Sequence, residues 1–288
     1  MPVRIIPRLD IKNSSLVKGI HLEGFRALGR PERFARYYYE QGADELLCMD
    51  IVASLYERNT LLEIVGRIAR ELYIPFTAGG GLRTLDDIRA VLDAGADRVT
   101  LNTAAIRRPE LIVEAVRVYG SSTILLSIEA IRKPDGTYEA YTENGRERTG
   151  LDAIAWAVRA TELGVGEVLV TSIDREGTGR GFDLELTKKI ARAVPVPVIA
   201  CGGAGTAAHV YEALTIGRAD AVCLGSILHY NLVQSRGSAD HGLTDGNPDF
   251  LRNPRGMRHI HDTTIPVLKG FLRGRGIACR PSAVESPV

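Results

Sequence analysis

Apolar residues in this chain fall in short runs, each closed by a polar or glycine-rich turn. Runs at 3–9, 45–50, 76–78, 98–101, 123–128, 167–171, 198–200 and 221–224 are rich in Val, Ile and Leu. They are too short for helices and read as buried strands. Between them, apolar positions recur at helical spacing over 31–41, 60–72, 84–94, 109–118, 151–163, 184–193 and 207–214. Pro31 suits a first helical turn, and Thr84 is a good N-cap with Asp86 and Asp87 behind it. Residues 11–30 read as a loop holding Lys12, Lys18, His21, Glu23 and Arg26. The turn residues Lys133-Pro134-Asp135-Gly136-Thr137 and Asn144-Gly145 predict a small hairpin. Residues 231–262, rich in Gly, Asp, Asn, Arg and His, predict an irregular insertion over one face. A closing helix follows over about 263–275, then a loose tail from Cys279 to Val288.

The pattern repeats. Val196-Pro197-Val198-Ile199-Ala200-Cys201-Gly202-Gly203 is an apolar strand running into glycines, and Ile74-Pro75-Phe76-Thr77-Ala78-Gly79-Gly80-Gly81 is its twin. Ala96-Asp97-Arg98-Val99 is matched by Ala219-Asp220-Ala221-Val222, and Asp44-Glu45-Leu46-Leu47 by Gly166-Glu167-Val168-Leu169. The offset is about 122 residues, too long for a solenoid repeat. Two halves of four strand–helix pairs favour a closed (β/α)8 barrel, an α/β fold, over an open sheet. The expected organisation is one domain over 1–288, with half-barrels at about 1–120 and 121–230. In such a barrel the active site lies at the C-terminal strand ends.

Composition narrows the class. The chain is 45% apolar and 25% charged with a formal net charge of +1, so no overall field draws it to nucleic acid or an anionic membrane. The N-terminal apolar run breaks at Arg8 and Asp10, unlike a signal peptide, and no run approaches the roughly 18 residues of a membrane span. Cys48, Cys201, Cys223 and Cys279 form no C-x-x-C pair. They read as free thiols in a reducing, cytoplasmic setting.

The unusual polar residues fall at strand ends. Asp10 and Glu129 close strands 1 and 5, on opposite sides of the predicted mouth. Two such carboxylates can divide acid and base work where their surroundings differ. Alternatively, each caps a loop or pairs with a nearby Lys or Arg. The glycine turns at Gly80-Gly81 and Gly202-Gly203 leave backbone N–H groups open to a phosphate. Each is followed by a polar pair, Asn102-Thr103 or Gly225-Ser226, so a substrate with a phosphate at each end fits. The segment holding Asp174, Gly177 and Thr178 is placed to close on the second phosphate. At the opposite face, Arg4, Glu45, Arg98 and Glu167 start strands with alternating charge. They form either a plain salt-bridge ring or a gate to the barrel axis.

Together these motifs resemble the cyclase subunit (HisF type) of imidazole glycerol phosphate synthase, over residues 3–230 and again in the closing helix. The residues that carry it are Arg4-Ile5-Ile6, Leu9-Asp10, Val17-Lys18-Gly19, Asp44-Glu45-Leu46, Gly79-Gly80-Gly81, Asn102-Thr103-Ala104-Ala105, Thr171-Ser172-Ile173-Asp174-Arg175 and Gly202-Gly203-Ala204-Gly205. The resemblance implies that ammonia from a glutaminase partner (HisH type) enters the barrel bottom. It then reacts with N′-phosphoribulosyl-formimino-AICAR ribotide to give imidazole glycerol phosphate and AICAR ribotide. It implies Asp10 as general base, Glu129 as general acid, Lys18 on a loop over the site, and Arg4, Glu45, Arg98 and Glu167 as the ammonia gate. Asp97 matches a residue facing the glutaminase. No metal or organic cofactor is implied.

The chain departs from the family at several points. Glu129 stands for the usual Asp, Arg98 for Lys, Cys201 for Ser, and Val52 for the Thr before Ala53-Ser54. Gly29-Arg30-Pro31 replaces Gly-Asp-Pro, and the stretch 231–262 is not a family feature. Two alternatives follow. One is a related barrel that passes glutaminase-derived ammonia to another acceptor, as in acetamido-sugar amidination. The other is a non-catalytic barrel that scaffolds a glutaminase.

Overall fold

The computed structural model describes residues 2–52, 59–236 and 259–282. Eight parallel strands close into a barrel: β1 (Arg4–Lys12), β4 (Leu46–Asp50), β5 (Phe76–Gly79), β6 (Arg98–Leu101), β7 (Ile124–Arg132), β10 (Glu167–Ser172), β11 (Val198–Cys201) and β12 (Ala221–Leu224). Closure comes from β7 pairing with β10 and β12 with β1. The predicted (β/α)8 fold is therefore present. Successive strands are joined by helices because parallel neighbours need a crossover connection.

The helices are α1 (Pro31–Glu40), α2 (Asn59–Ala69), α3 (Leu85–Asp93), α4 (Thr103–Arg107), α5 (Glu110–Tyr119), α6 (Ala153–Glu162), α7 (Leu184–Ala193), α8 (Ala207–Thr215), α9 (Ser226–Arg236) and α10 (Ile265–Arg273). Thr84 caps α3 in a reciprocal capping box with Asp87, as its sequence position predicts. Among the described residues no helix is long and apolar enough to cross a membrane.

Strand alternation makes two apolar layers. Ile5, Leu9, Leu46, Cys48, Val168 and Val198 face outward and pack under the helices. Ile6, Leu47, Leu125, Leu169, Ile199 and Cys223 fill the interior. All four cysteines are free.

The ladder repeats with the sequence. Asp10 pairs with Met49, which pairs with Gly79, which pairs with Thr100. In the second half Glu129 pairs with Thr171, Thr171 with Cys201, and Cys201 with Cys223.

Four expectations need correction. Residues 11–30 are not a loop: β1 runs on to Lys12, and β2 (Ser15–Ile20) and β3 (Glu23–Gly29) pair antiparallel beside it. The alternation in β2 is interrupted by Lys18 and Gly19, which hid the strands. The matching extension in the second half, β8 (Tyr138–Thr142) and β9 (Glu147–Asp152), was predicted as a hairpin and pairs onto β7. β7 runs to Arg132, so Glu129 lies within the strand. Residues 231–236 are the last turns of α9, not the start of an irregular insertion. Cys279 is not in a loose tail: it bridges Val3, whose N–H donates to Ala278 O at 2.8 Å. Residues 53–54, 237–258 and 283–288, on which other expectations fell, lie outside the described residues.

Candidate active site

Asp10 and Glu129 are both buried at the C-terminal end of the barrel interior, 2% and 3% exposed. Alternation along β1 puts Arg4, Ile6, Arg8 and Asp10 on its inner face. Arg8 Nε donates to Asp10 Oδ1 at 2.7 Å, and Lys18 Nζ lies 3.9 Å from Asp10 Oδ2. Glu129 has a different setting. Asn102 Nδ2 donates to Glu129 Oε2 at 3.2 Å. Burial is the largest influence on Glu129 and pushes its carboxyl up to about 7, against the opposing pull of Arg8 and the Gly145 amide. A carboxyl in that range holds or releases a proton near neutrality, which suits an acid catalyst.

Lys18, on β2, is buried and ion-paired with Glu176. Glu176 also accepts from the Leu22 amide through Oε2, and its backbone O accepts from the His21 amide at 2.9 Å. The β2–β3 ribbon is thereby tied to the turn after β10. Gly177 lies so close that a Cβ there would meet Gly19 O at 2.4 Å.

The two glycine turns present different surfaces. Gly80 has φ +106°, and an added Cβ would sit 2.1 Å from Asp50 O, so only glycine fits. Beside it a cavity of about 220 Å³ is lined by Gly80, Gly81, Asn102, Thr103 and Glu129, and by Arg107 and Arg108. Beside the second turn the cavity is about 20 Å³, lined by Arg8, Asp10, Lys18, Glu176, Gly177, Gly202, Gly203, Gly225 and Ser226. Asp174 and Thr178 line neither cavity. The exposed Asp174 carboxylate accepts from the Arg132 amide at 2.8 Å, and Thr178 Oγ1 donates to Arg175 O at 2.7 Å.

At the N-terminal end the four charges form a closed ring. Arg4 pairs with Glu45 at 2.8 Å and also with Glu167. Arg98 pairs with Glu167 at 2.6 Å and with Glu45 at 3.6 Å. Every charge faces two of opposite sign, which holds the ring across the barrel axis. Asp97, exposed at the same end, accepts from the Phe76 amide at 2.9 Å. Asp44 and Asp220 hold Ile5 and Val198 in the same way, so this clamp recurs between neighbouring strands.

Sequence reading missed Arg8 and Glu176. Arg8 was legible in principle, since it stands two residues before Asp10 in a strand and shares its face. Glu176 gave no signal, because its partner Lys18 is 158 residues away in the chain. Among the described residues no cluster of three or more His, Cys, Asp or Glu could hold a metal ion.

Comparison with known proteins agrees with this architecture. Residues 4–234 match the family described as histidine biosynthesis protein. Imidazole glycerol phosphate synthase subunit HisF of Alkaliphilus metalliredigens is 45% identical over 230 residues, 80% of this chain and 91% of that protein. The protein of the same name from Legionella pneumophila is 54% identical over 203 residues, 70% of this chain and 96% of that protein. With four-fifths of its length matched from the first barrel strand to the helix after the last, the chain belongs to the histidine biosynthesis protein family.

Proposed function

We propose that this chain is the cyclase subunit of imidazole glycerol phosphate synthase. It takes N′-phosphoribulosyl-formimino-AICAR ribotide and ammonia to imidazole glycerol phosphate and AICAR ribotide in the cytosol. The observation that carries this reading is the pair Asp10 and Glu129, equivalent in the two half-barrels yet differently surrounded.

Asp10 acts as base, accepting a proton as the ammonia nitrogen forms its new bond. Glu129 acts as acid, giving a proton to the departing group. The amides at Gly80-Gly81 with Asn102 and Thr103 hold one phosphate, and those at Gly202-Gly203 with Gly225 and Ser226 hold the other. Lys18 and Glu176 part to admit the second phosphate, since their pairing leaves only about 20 Å³ there. Gly177 closes on that group, with Asp174 and Thr178 shaping the turn around it. Ammonia comes from a glutaminase partner of the HisH type, which docks beside Asp97. It passes the ring of Arg4, Glu45, Arg98 and Glu167.

A second reading, transfer of ammonia to another acceptor, is favoured by the unequal cavities and by Glu129 in place of Asp. One experiment separates the two. The purified chain is given the ribulosyl bisphosphate and excess ammonium salt at a pH that supplies free ammonia, with Asp10→Asn as control. Formation of imidazole glycerol phosphate, lost in the control, supports the cyclase. A folded chain that leaves the bisphosphate intact overturns it and directs the search to acceptors with one anionic group.

A further inference from the structure

The two carboxylates are symmetric in register, and what breaks their symmetry is one level lower in the barrel. Arg8 pairs with Leu47 in the first half. Its counterpart, paired with Leu169 in the second half, is Ser127. Asp10 therefore stands above a guanidinium on its own strand, and Glu129 above a hydroxyl.

Arg8 reaches across the interior. Besides Asp10, its Nη1 donates to Thr171 Oγ1 on β10 at 3.2 Å and to Cys201 Sγ on β11 at 3.5 Å. One or two strands separate these from β1, so the side chain reaches across to β10, where Thr171 is the register partner of Glu129. It is 4% exposed, and its Nη2 has no hydrogen-bond partner among the described residues. Burying a cation and leaving one of its donors unmet is costly, and apolar side chains in place of both Arg8 and Asp10 would fill the space with no loss of stability, whereas losing Arg8 alone strands the Asp10 carboxylate. Stability alone does not account for Arg8.

We propose that Arg8 is a positioning residue that assigns the two roles, fixing Asp10 as the base and leaving Glu129 to act as the acid. The proposal rests on the acid–base reading given above. Besides Arg8, Asp10, Cys201, the Gly145 amide and Asn102 Nδ2 act on Glu129, and Arg83, Arg107 and Arg108 line the same cavity. Of these cations Arg8 acts most strongly on Glu129, and it draws the Glu129 proton affinity down.

The test uses the full chain with Arg8→Met and Arg8→Lys. The first readout needs no activity: the carboxyl of Glu129 is titrated by carbon-13 NMR, assigned with Glu129→Gln. In Arg8→Met the midpoint rises by roughly half a unit or more above its wild-type position, whereas Arg8→Lys keeps the wild-type value. The second readout is ammonium-dependent turnover. Arg8→Met lowers kcat by about 100-fold with the KM for the bisphosphate within about threefold, and Arg8→Lys recovers at least about tenfold.

An unmoved Glu129 midpoint in folded Arg8→Met overturns the proposal, whatever the turnover. Should that variant not fold, Arg8→Gln carries the same two expectations. Should the wild-type chain show no turnover, the cyclase reading fails, and the titration still decides the role of Arg8.

Discussion

Asp10 and Glu129 occupy the same rung of the barrel in its two halves: one pairs with Met49, the other with Thr171, 122 residues further on. Only Asp10 is ion-paired to a guanidinium on its own strand. In the proposed function Glu129 is the acid and must enter protonated, so ammonium-dependent kcat falls as pH rises through about 7, the position to which burial moves Glu129. Glu129→Gln removes that limb and lowers kcat by about 100-fold or more. A pH–rate profile of both proteins checks this.

The same residue governs stability. Its carboxyl binds a proton up to about 7 when folded and only up to the ordinary 4.5 when unfolded. Between these values the folded chain holds the extra proton, so its stabilising contribution is complete below 4.5 and lost as pH rises through 7. Glu129→Gln is therefore more stable than wild type by about 3 kcal/mol at pH 8. The difference vanishes near pH 4.5. Urea titrations at the two pH values measure it.

His229 has the opposite sign. It is fully buried between the Arg8 carbonyl, 2.9 Å from Nε2, and the Tyr38 hydroxyl, 2.6 Å from Nδ1. Burial, with Lys18 nearby, depresses it to about 4 from the ordinary 6.5. The unfolded chain then binds the extra proton, so stability is present above 6.5 and lost as pH falls to 4. His229→Gln flattens this acid loss, worth about 3 kcal/mol at full extent. Urea midpoints compared at pH 7 and pH 4.5 report the change.

In the proposed function the ionic ring separates supply from chemistry. Glu167 is ion-paired with both Arg4 and Arg98, so Glu167→Gln leaves two cations facing Glu45 alone and loosens the ring. Glutamine-dependent turnover of the complex falls by about tenfold, or about 1.4 kcal/mol of barrier. Turnover with external ammonium stays within about twofold. Assaying both nitrogen sources side by side tests it, and an equal loss with each would rule out the gate.

Lys269 on α10 is fully buried and donates to Gly42 O and Asp44 Oδ1, each at 2.8 Å. Asp44 in turn holds the Ile5 amide of β1. Lys269→Met strands a buried carboxylate and destabilises the fold by about 3–5 kcal/mol, as read from urea denaturation. Lys269→Met with Asp44→Asn recovers part of that loss.

Much of the fold was legible because each barrel strand is a self-contained apolar run. The strands at 98–101 and 221–224 and the helix at 184–193 were placed to the residue. The β2–β3 ribbon was not, because a buried Lys18 stands at a strand position and the polar His21 lies in the turn that follows. Lys18 is paired with Glu176 and His21 Nδ1 lies 2.8 Å from Ile173 O, contacts made across the barrel. Local pattern carries no trace of a partner more than 150 residues away.

The sequence by itself determined the two-half barrel and the residues offered at the strand ends. These follow from apolar periodicity and from glycine turns, which are local properties. Only the tertiary structure decided how those residues differ from one another. Asp10 and Glu129 read alike as acids closing apolar runs, yet one meets Arg8 and the other is desolvated beside Asn102. The two glycine turns also read alike, yet Lys18 and Glu176 narrow one and leave the other open. Proton affinity and cavity size depend on what is brought within a few ångströms, and closure of the barrel sets that.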